Sequence, residues 1–211
     1  MSQIKLLHSG GNGVILSAPN SNPASDVTLK LPQADGSAGQ FMKTDGSGNL
    51  SFDAAGGLYA SYALLADIKL SSTAGGGTLT SGDWRTRDLN TEISDADGIV
   101  SISSNQFTLG AGTYRILANV PSYQTNRHQS ALYNVTDSSY VQYGSTEYTG
   151  SSDNVNTISI LRSRFTISGS KVFEIRHRSQ TTETTYGFGV GLGDYWTGNS
   201  VFMVLEIFKE T

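Results

Sequence analysis

The hydrophobic and polar positions of this chain follow a two-residue beat over most of its length. From Thr113 to Val120, Tyr114, Ile116, Ala118 and Val120 share one face while Arg115 and Asn119 take the other. That is the alternation of a half-buried β-strand. The pattern predicts strands over 99–102, 106–109, 113–120, 131–135, 157–167, 171–178 and 201–208. Turn signals separate them at Asp97-Gly98, Gly110-Ala111-Gly112, Asp137-Ser138-Ser139, Ser168-Gly169-Ser170 and Gly198-Asn199. Strands at this spacing with no helical interruption predict an all-β fold, a jelly-roll β-sandwich over residues 67–211.

The last strand breaks the beat. Val201, Met203, Leu205 and Ile207 make one apolar face, and Phe202, Val204 and Phe208 a second, interrupted only by Glu206. A sandwich strand has one face in the core and one outside. The second apolar face therefore calls for another subunit or domain, or else for cover by the chain's own loops. Burying Phe, Val and Phe is worth about 1.5–3 kcal/mol each, and three such groups in water would be an aggregation liability. A carboxylate inside that stripe needs a cation, for which Arg176 and Arg178 are the candidates.

Residues 1–53 are different. Very short apolar stretches (13–17, 27–31, 40–43 and 49–52) alternate with two similar turns, Asp35-Gly36-Ser37-Ala38-Gly39 and Asp45-Gly46-Ser47-Gly48-Asn49. Asp-Gly pairs favour turns in which φ goes positive. A lone hairpin of this size is marginal in water, so the segment reads as a thread that attaches to copies of itself or to another protein. Leu29, Leu31, Phe41, Leu50 and Phe52 are its candidate attachment residues. The Ala/Gly-rich junction at 54–66 places Leu58, Tyr62 and Leu65 at i, i+4, i+7, one helical stripe. So short a helix is unstable alone, which leaves a bundled helical turn or plain linker.

Composition narrows the classes. Charged residues are 15 % of the 211, glycine numbers 24 and the net charge is -4, the profile of a turn-rich β protein without the basic stripe of a nucleic-acid binder. There is no cysteine, so stability must come from packing or oligomerisation. The first residues lack the apolar run of a signal peptide, and no stretch approaches the roughly 20 apolar residues of a membrane span. The expectation is assembly in a cytoplasm, with no membrane insertion.

Catalytic and metal chemistry is sparse. His8, His128 and His177 lack zinc-site spacing, and His177 alternates onto the apolar face of Phe173 and Ile175, as a core histidine would. The run Gly187-Phe188-Gly189-Val190-Gly191-Leu192-Gly193 places Leu192 where the third glycine of a nucleotide loop would fall. It reads instead as a bare strand face open to close approach. Asp95-Ala96-Asp97-Gly98 lacks the further ligands of a calcium loop and reads as a turn. No cofactor is expected. Arg162 with Arg164, and Arg176 with Arg178, are either solvated pairs or a patch for anionic polysaccharide. Two turn-rich loops bring aromatic and polar groups together, Tyr123, Arg127 and His128 in one, and Asp194, Tyr195 and Trp196 in the other. Such groups suit sugar recognition by stacking and directional bonds, or packing into a subunit seam.

Trp84 to Asn90, Gly98 to Ser101 and Phe107-Thr108-Leu109-Gly110-Ala111-Gly112-Thr113-Tyr114-Arg115-Ile116, with Ala131 to Asp137, Phe165 to Ile167 and Phe173 to Ile175, resemble the C1q/TNF-like jelly roll of bacteriophage fibres. Lys5 to Gly13, Lys30 to Gly36 and Lys43 to Leu50 are similar to the start of marine phage and cyanophage fibre proteins. The resemblance implies a homotrimer on a virion, with the final strand (Phe202, Val204, Glu206, Phe208) lining the threefold axis, where Arg176 and Arg178 are the candidate cations for Glu206. It implies a tail fibre whose N-terminal segment docks on other virion proteins and whose tip binds host surface polysaccharide. The alternative is a trimeric capsid decoration protein or head fibre, and a distant one a glycan depolymerase.

Overall fold

A computed structural model describes residues 3–211 other than 18, 22 and 55, and the side chains of 3, 5, 7, 13, 14, 17 and 194 lie outside that description. The chain divides into two compact units, Met1–Ala55 and Gly56–Thr211.

In the first unit, β1 (Gln3–Leu7) pairs with β2 (Gly13–Ser17) and β3 (Gln40–Thr44) with β4 (Leu50–Ala54), both antiparallel. The expected strand at 27–31 reduces to one parallel bridge, Lys30 to Asn49. The turn at Asp45 forms as its composition dictates. Its carboxylate accepts the Ser47 N–H at 2.8 Å and the Asn49 N–H at 3.1 Å, while Gly46 and Gly48 take φ of +80° and +87°. Gly36 does not go left-handed. A Cβ there would fall 2.7 Å from Phe52 Cγ, so glycine is required by the ring that covers it. Leu29, Leu31 and Phe41 are exposed, and Leu50 and Phe52 half-buried.

The second unit contains β5 (Tyr59–Leu70), β6 (Arg85–Thr86), β7 (Thr91–Ser94), β8 (Val100–Ser103), β9 (Gln106–Leu109), β10 (Gly112–Tyr123), β11 (Asn126–Asn134), β12 (Ser139–Thr149), β13 (Asn156–Ile167), β14 (Lys171–Ser179) and β15 (Asn199–Glu210). They form a five-stranded sheet, β13-β10-β15-β5-β7, and a six-stranded sheet, β12-β11-β14-β9-β8 with β6 beside β14. Every named pair in the two sheets is antiparallel. From β9 onward the chain switches sheets at each step except the β11–β12 hairpin, which is jelly-roll winding. Between the sheets, Leu65, Tyr114, Ile116, Leu161, Leu205 and Ile207 meet Phe107, Leu109, Leu132, Phe173 and Ile175.

Three sequence expectations change here. The stretch 59–66 is neither helix nor linker but the first two thirds of β5, between β15 and β7. Ala63 and Leu65 point into the core while Tyr62 is exposed, so period two wins over the helical stripe. The reason is that β15 offers a ladder of backbone partners from Asn199 to Glu210, whereas a short helix would have nothing to pack on. Second, β15 carries a bulge. Val201 pairs with Ile68 and Met203 with Asp67, leaving Phe202 as the extra residue. The inserted residue reverses the alternation, so Phe202 turns inward at 2 % exposure and Val201 outward at 54 %. Third, the glycine run is a loop rather than a strand, held by bridges Gly75–Val190 and Leu79–Glu183. The close approach is real: a Cβ on Gly187 would lie 2.5 Å from the Leu79 nitrogen.

Candidate functional site

The outward face of the five-stranded sheet can be read off its register. One row runs Tyr62, Phe208, Arg115, Arg164, and the next runs Leu64, Glu206, Leu117, Arg162. A third runs Ala66, Val204, Asn119, Ile160, with Ile158 opposite Pro121 beyond it. Phe208 lies 5.0 Å from both the Tyr59 and Tyr62 ring centroids. Ile158, Ile160, Tyr62 and Val201 are exposed, and Val204 and Phe208 only half-covered. Such an apolar field, interspersed with Glu206, Arg115, Arg162 and Arg164, makes this side of the sandwich the candidate association face. Leu64, Leu117, Ile158 and Ile160 were missed in the sequence, although 157–167 carries apolar residues at both parities, the same signal as the final strand.

Arg176 and Arg178 do not belong to this face. Both lie on β14 in the other sheet. Arg176 bonds Glu174 at 2.6 Å with its guanidinium 3.3 Å from the Tyr133 ring centroid, and Arg178 reaches Gln129 and stacks over Trp84. Neither serves Glu206, which stands on the outward face of the opposite sheet, and strand alternation in the sequence does not reveal which sheet a strand joins. Phe202 likewise leaves the association face for the interior, for the reason given by its bulge. Its interior position is beneath Gly76 and Gly191, with Lys69 Nζ 5.3 Å from its ring centroid.

The aromatic candidates separate into two places. Tyr123, Tyr195 and Trp196 meet Tyr186, Ala74, Val190 and Leu192 around one groove of about 670 Å³. Tyr195 is 87 % and Trp196 68 % exposed. Tyr123 donates from its hydroxyl to Asn154 at 2.9 Å and packs edge-on against Tyr186. The side chain of Asp194 lies outside the described residues. The groove sits where β5 and β10 end and β15 begins, and Tyr59, where the sandwich strands start, pairs with Glu210 at the opposite end. Tyr186 was missed, since nothing local marks it. Arg127 points away on the second sheet and bonds Gln180.

His128 is no surface contact, contrary to the sequence reading. It is 2 % exposed, with Nδ1 2.9 Å from His177 Nε2 and Nε2 2.7 Å from Thr157 Oγ1. Burial, with Arg87 nearby, pushes His128 down to about 4 against the opposing pull of Glu147, and burial, Arg87 and His128 together drive His177 well below its ordinary value. The unfolded chain, with ordinary histidines near pH 6.5, takes up protons that the folded chain refuses. The stability contributed by the neutral pair is therefore present above pH 6.5 and is lost as pH falls toward about 4. Thermal unfolding across this window is expected to show that decline, and the double variant His128→Gln/His177→Gln to flatten it. An unchanged slope in the variant would refute the assignment.

Strand order and register thus define a jelly-roll β-sandwich with an apolar flank and an aromatic groove at one end. No protein-family model matches the sequence, and no curated protein matches it. Among solved structures, murine APRIL at pH 5.0 is similar with a TM-score of 0.46 and 8 % identity, covering 71 % of this chain and 98 % of that one. The globular domain of zebrafish complement 1qA is similar with a TM-score of 0.41 and 15 % identity, covering 71 % of this chain and 95 % of that one.

Proposed function

We propose that this chain is a non-enzymatic structural protein of a bacteriophage virion, a homotrimeric fibre or appendage that displays its jelly roll outward to bind host-surface glycan. The observation that carries the reading is the arrangement of the sandwich from end to end. Tyr59 stands at one end, the aromatic groove at the other, and the apolar face of the five-stranded sheet lies between them. The face calls for cover by further copies of the chain. The groove offers exposed rings for stacking on sugar faces, and no Arg or Lys is among the described residues around it. That favours a neutral saccharide over the anionic polysaccharide considered from the arginine pairs, of which Arg164 and Arg176 are held by Glu210 and Glu174. The N-terminal unit supports attachment to other virion proteins, since its two-stranded sheets leave Leu29, Leu31 and Phe41 exposed and such sheets are marginal alone.

Two arms test the reading on phage particles. Deleting residues 1–55 is expected to leave a soluble sandwich that no longer joins virions. Trp196→Ala in the full chain is expected to spare incorporation and lower binding to host cells about tenfold or more. Normal incorporation of the deletion, or unchanged cell binding by the substitution, would overturn the corresponding half.

A further inference from the structure

We infer that Glu206 of one copy pairs with Arg162 of the next and sets the register in which the five-stranded faces meet, an inference that rests on the self-association proposed above. The two residues belong to one row, on either side of Leu117. Two strand spacings put their backbones about 10 Å apart. Their side chains, with Leu117, Asn119, Ile160 and Val204, line a pit of about 170 Å³. Other charges on the face are satisfied within the chain: Arg164 pairs with Glu210, and Arg115 donates to the Tyr59 hydroxyl. Among the described residues, Glu206 and Arg162 have no ion pair.

Their surroundings make that costly once the face is covered. Phe208 and Val204 flank Glu206 along its strand, and Ile160 flanks Arg162. An apolar partner would bury a carboxylate whose polar neighbour in its own chain is the Tyr62 hydroxyl, together with a guanidinium, and would set no opposite charge against either. A second copy of the same chain is the occupant that supplies both complements at the same height. Where copies are related by rotation about an axis along the strands, rows stay level and the β15 side of one meets the β13 side of the next. The planar guanidinium then presents its fork to the carboxylate.

The chain contains no cysteine, so Glu206→Cys/Arg162→Cys can be oxidised without competing thiols. Within one chain the positions exceed the roughly 7 Å limit for a disulfide, so any bond must join copies. Non-reducing electrophoresis is expected to show a covalent trimer, absent from each single-cysteine variant. A covalent species closing at the dimer would keep the pair and overturn the threefold reading. No cross-link in a preparation that sediments as a trimer would overturn the pair and keep the trimer. Independently, Glu206→Arg is expected to weaken self-association about thirtyfold or more. The exchange Glu206→Arg/Arg162→Glu should restore it to near the parent value, and an exchange no better than the single substitution would also overturn the pair.

Discussion

Replacing Arg87 by alanine is expected to destabilise the sandwich by about 3–5 kcal/mol, the range for stripping a partner from a buried charged network. Arg87 is fully buried in the second unit. Its guanidinium donates to the carbonyls of Pro121 at 3.1 Å, Phe188 at 3.1 Å and Phe202 at 2.8 Å, and lies 4.1 Å from the Phe188 ring centroid. One side chain thus joins the end of β10, the glycine loop and the bulge of β15. Burial pushes Arg87 down to about 10 against the pull of Asp67 and Asp88, so it stays charged at neutral pH. Alanine would leave these carbonyls unpaired in a dry interior, each a desolvation cost of about 1–3 kcal/mol, and would deprive the buried Asp67 of a nearby cation. In a domain of this size about 2–4 °C accompanies each kcal/mol, so the melting temperature should fall on the order of 10 °C. Arg87→Lys keeps the charge but cannot span divergent acceptors, and should recover only part of the loss. A melting temperature unchanged in Arg87→Ala would show that the network does not hold this end of the sandwich.

Nothing in the sequence announced that role. Arg87 stands among Arg85, Asp88 and Asn90, a stretch that reads as solvated, and its acceptors come from positions up to 115 residues away. The same limit explains His128 and His177, whose pairing depends on the β11–β14 register that sets Ser130 opposite His177 and His128 opposite Ser179. What local chemistry fixes was legible: the alternation of 113–120, the Asp45 turn, and the two-faced apolarity of the final strand. Where two local patterns competed, only the fold could decide. Leu58, Tyr62 and Leu65 satisfy a helical period, but Tyr62, Ala63, Leu64 and Leu65 are also a continuous apolar run of the kind a strand covered on both faces uses, and β15 supplies the ladder that selects the strand. The bulge at Phe202 has no sequence mark at all. An added residue in one strand is visible only against the strand opposite.

That bulge yields a contrast between two phenylalanines on one strand. Phe202→Ala should cost the fold about 3–5 kcal/mol, as for other buried aromatic truncations, because the ring is 2 % exposed and packs beside Gly76, Gly189 and Gly191. Phe208→Glu should behave oppositely. Its ring lies on the outward face against Tyr59 and Tyr62, so monomer stability should change by only about 1 kcal/mol. A second carboxylate set beside Glu206 would, however, place two like charges within an apolar face that has to be covered. Loss of an aromatic anchor at such a position weakens association about a hundredfold or more, before repulsion between the carboxylates is counted. Sedimentation equilibrium should therefore find Phe208→Glu folded and monomeric at concentrations where the parent forms the proposed trimer. Phe202→Ala should keep the trimer while folded, but unfold earlier in denaturant. If Phe208→Glu sediments as the parent does, copies do not meet through this face, and both the trimer arrangement and the pairing of Glu206 with Arg162 fall with it.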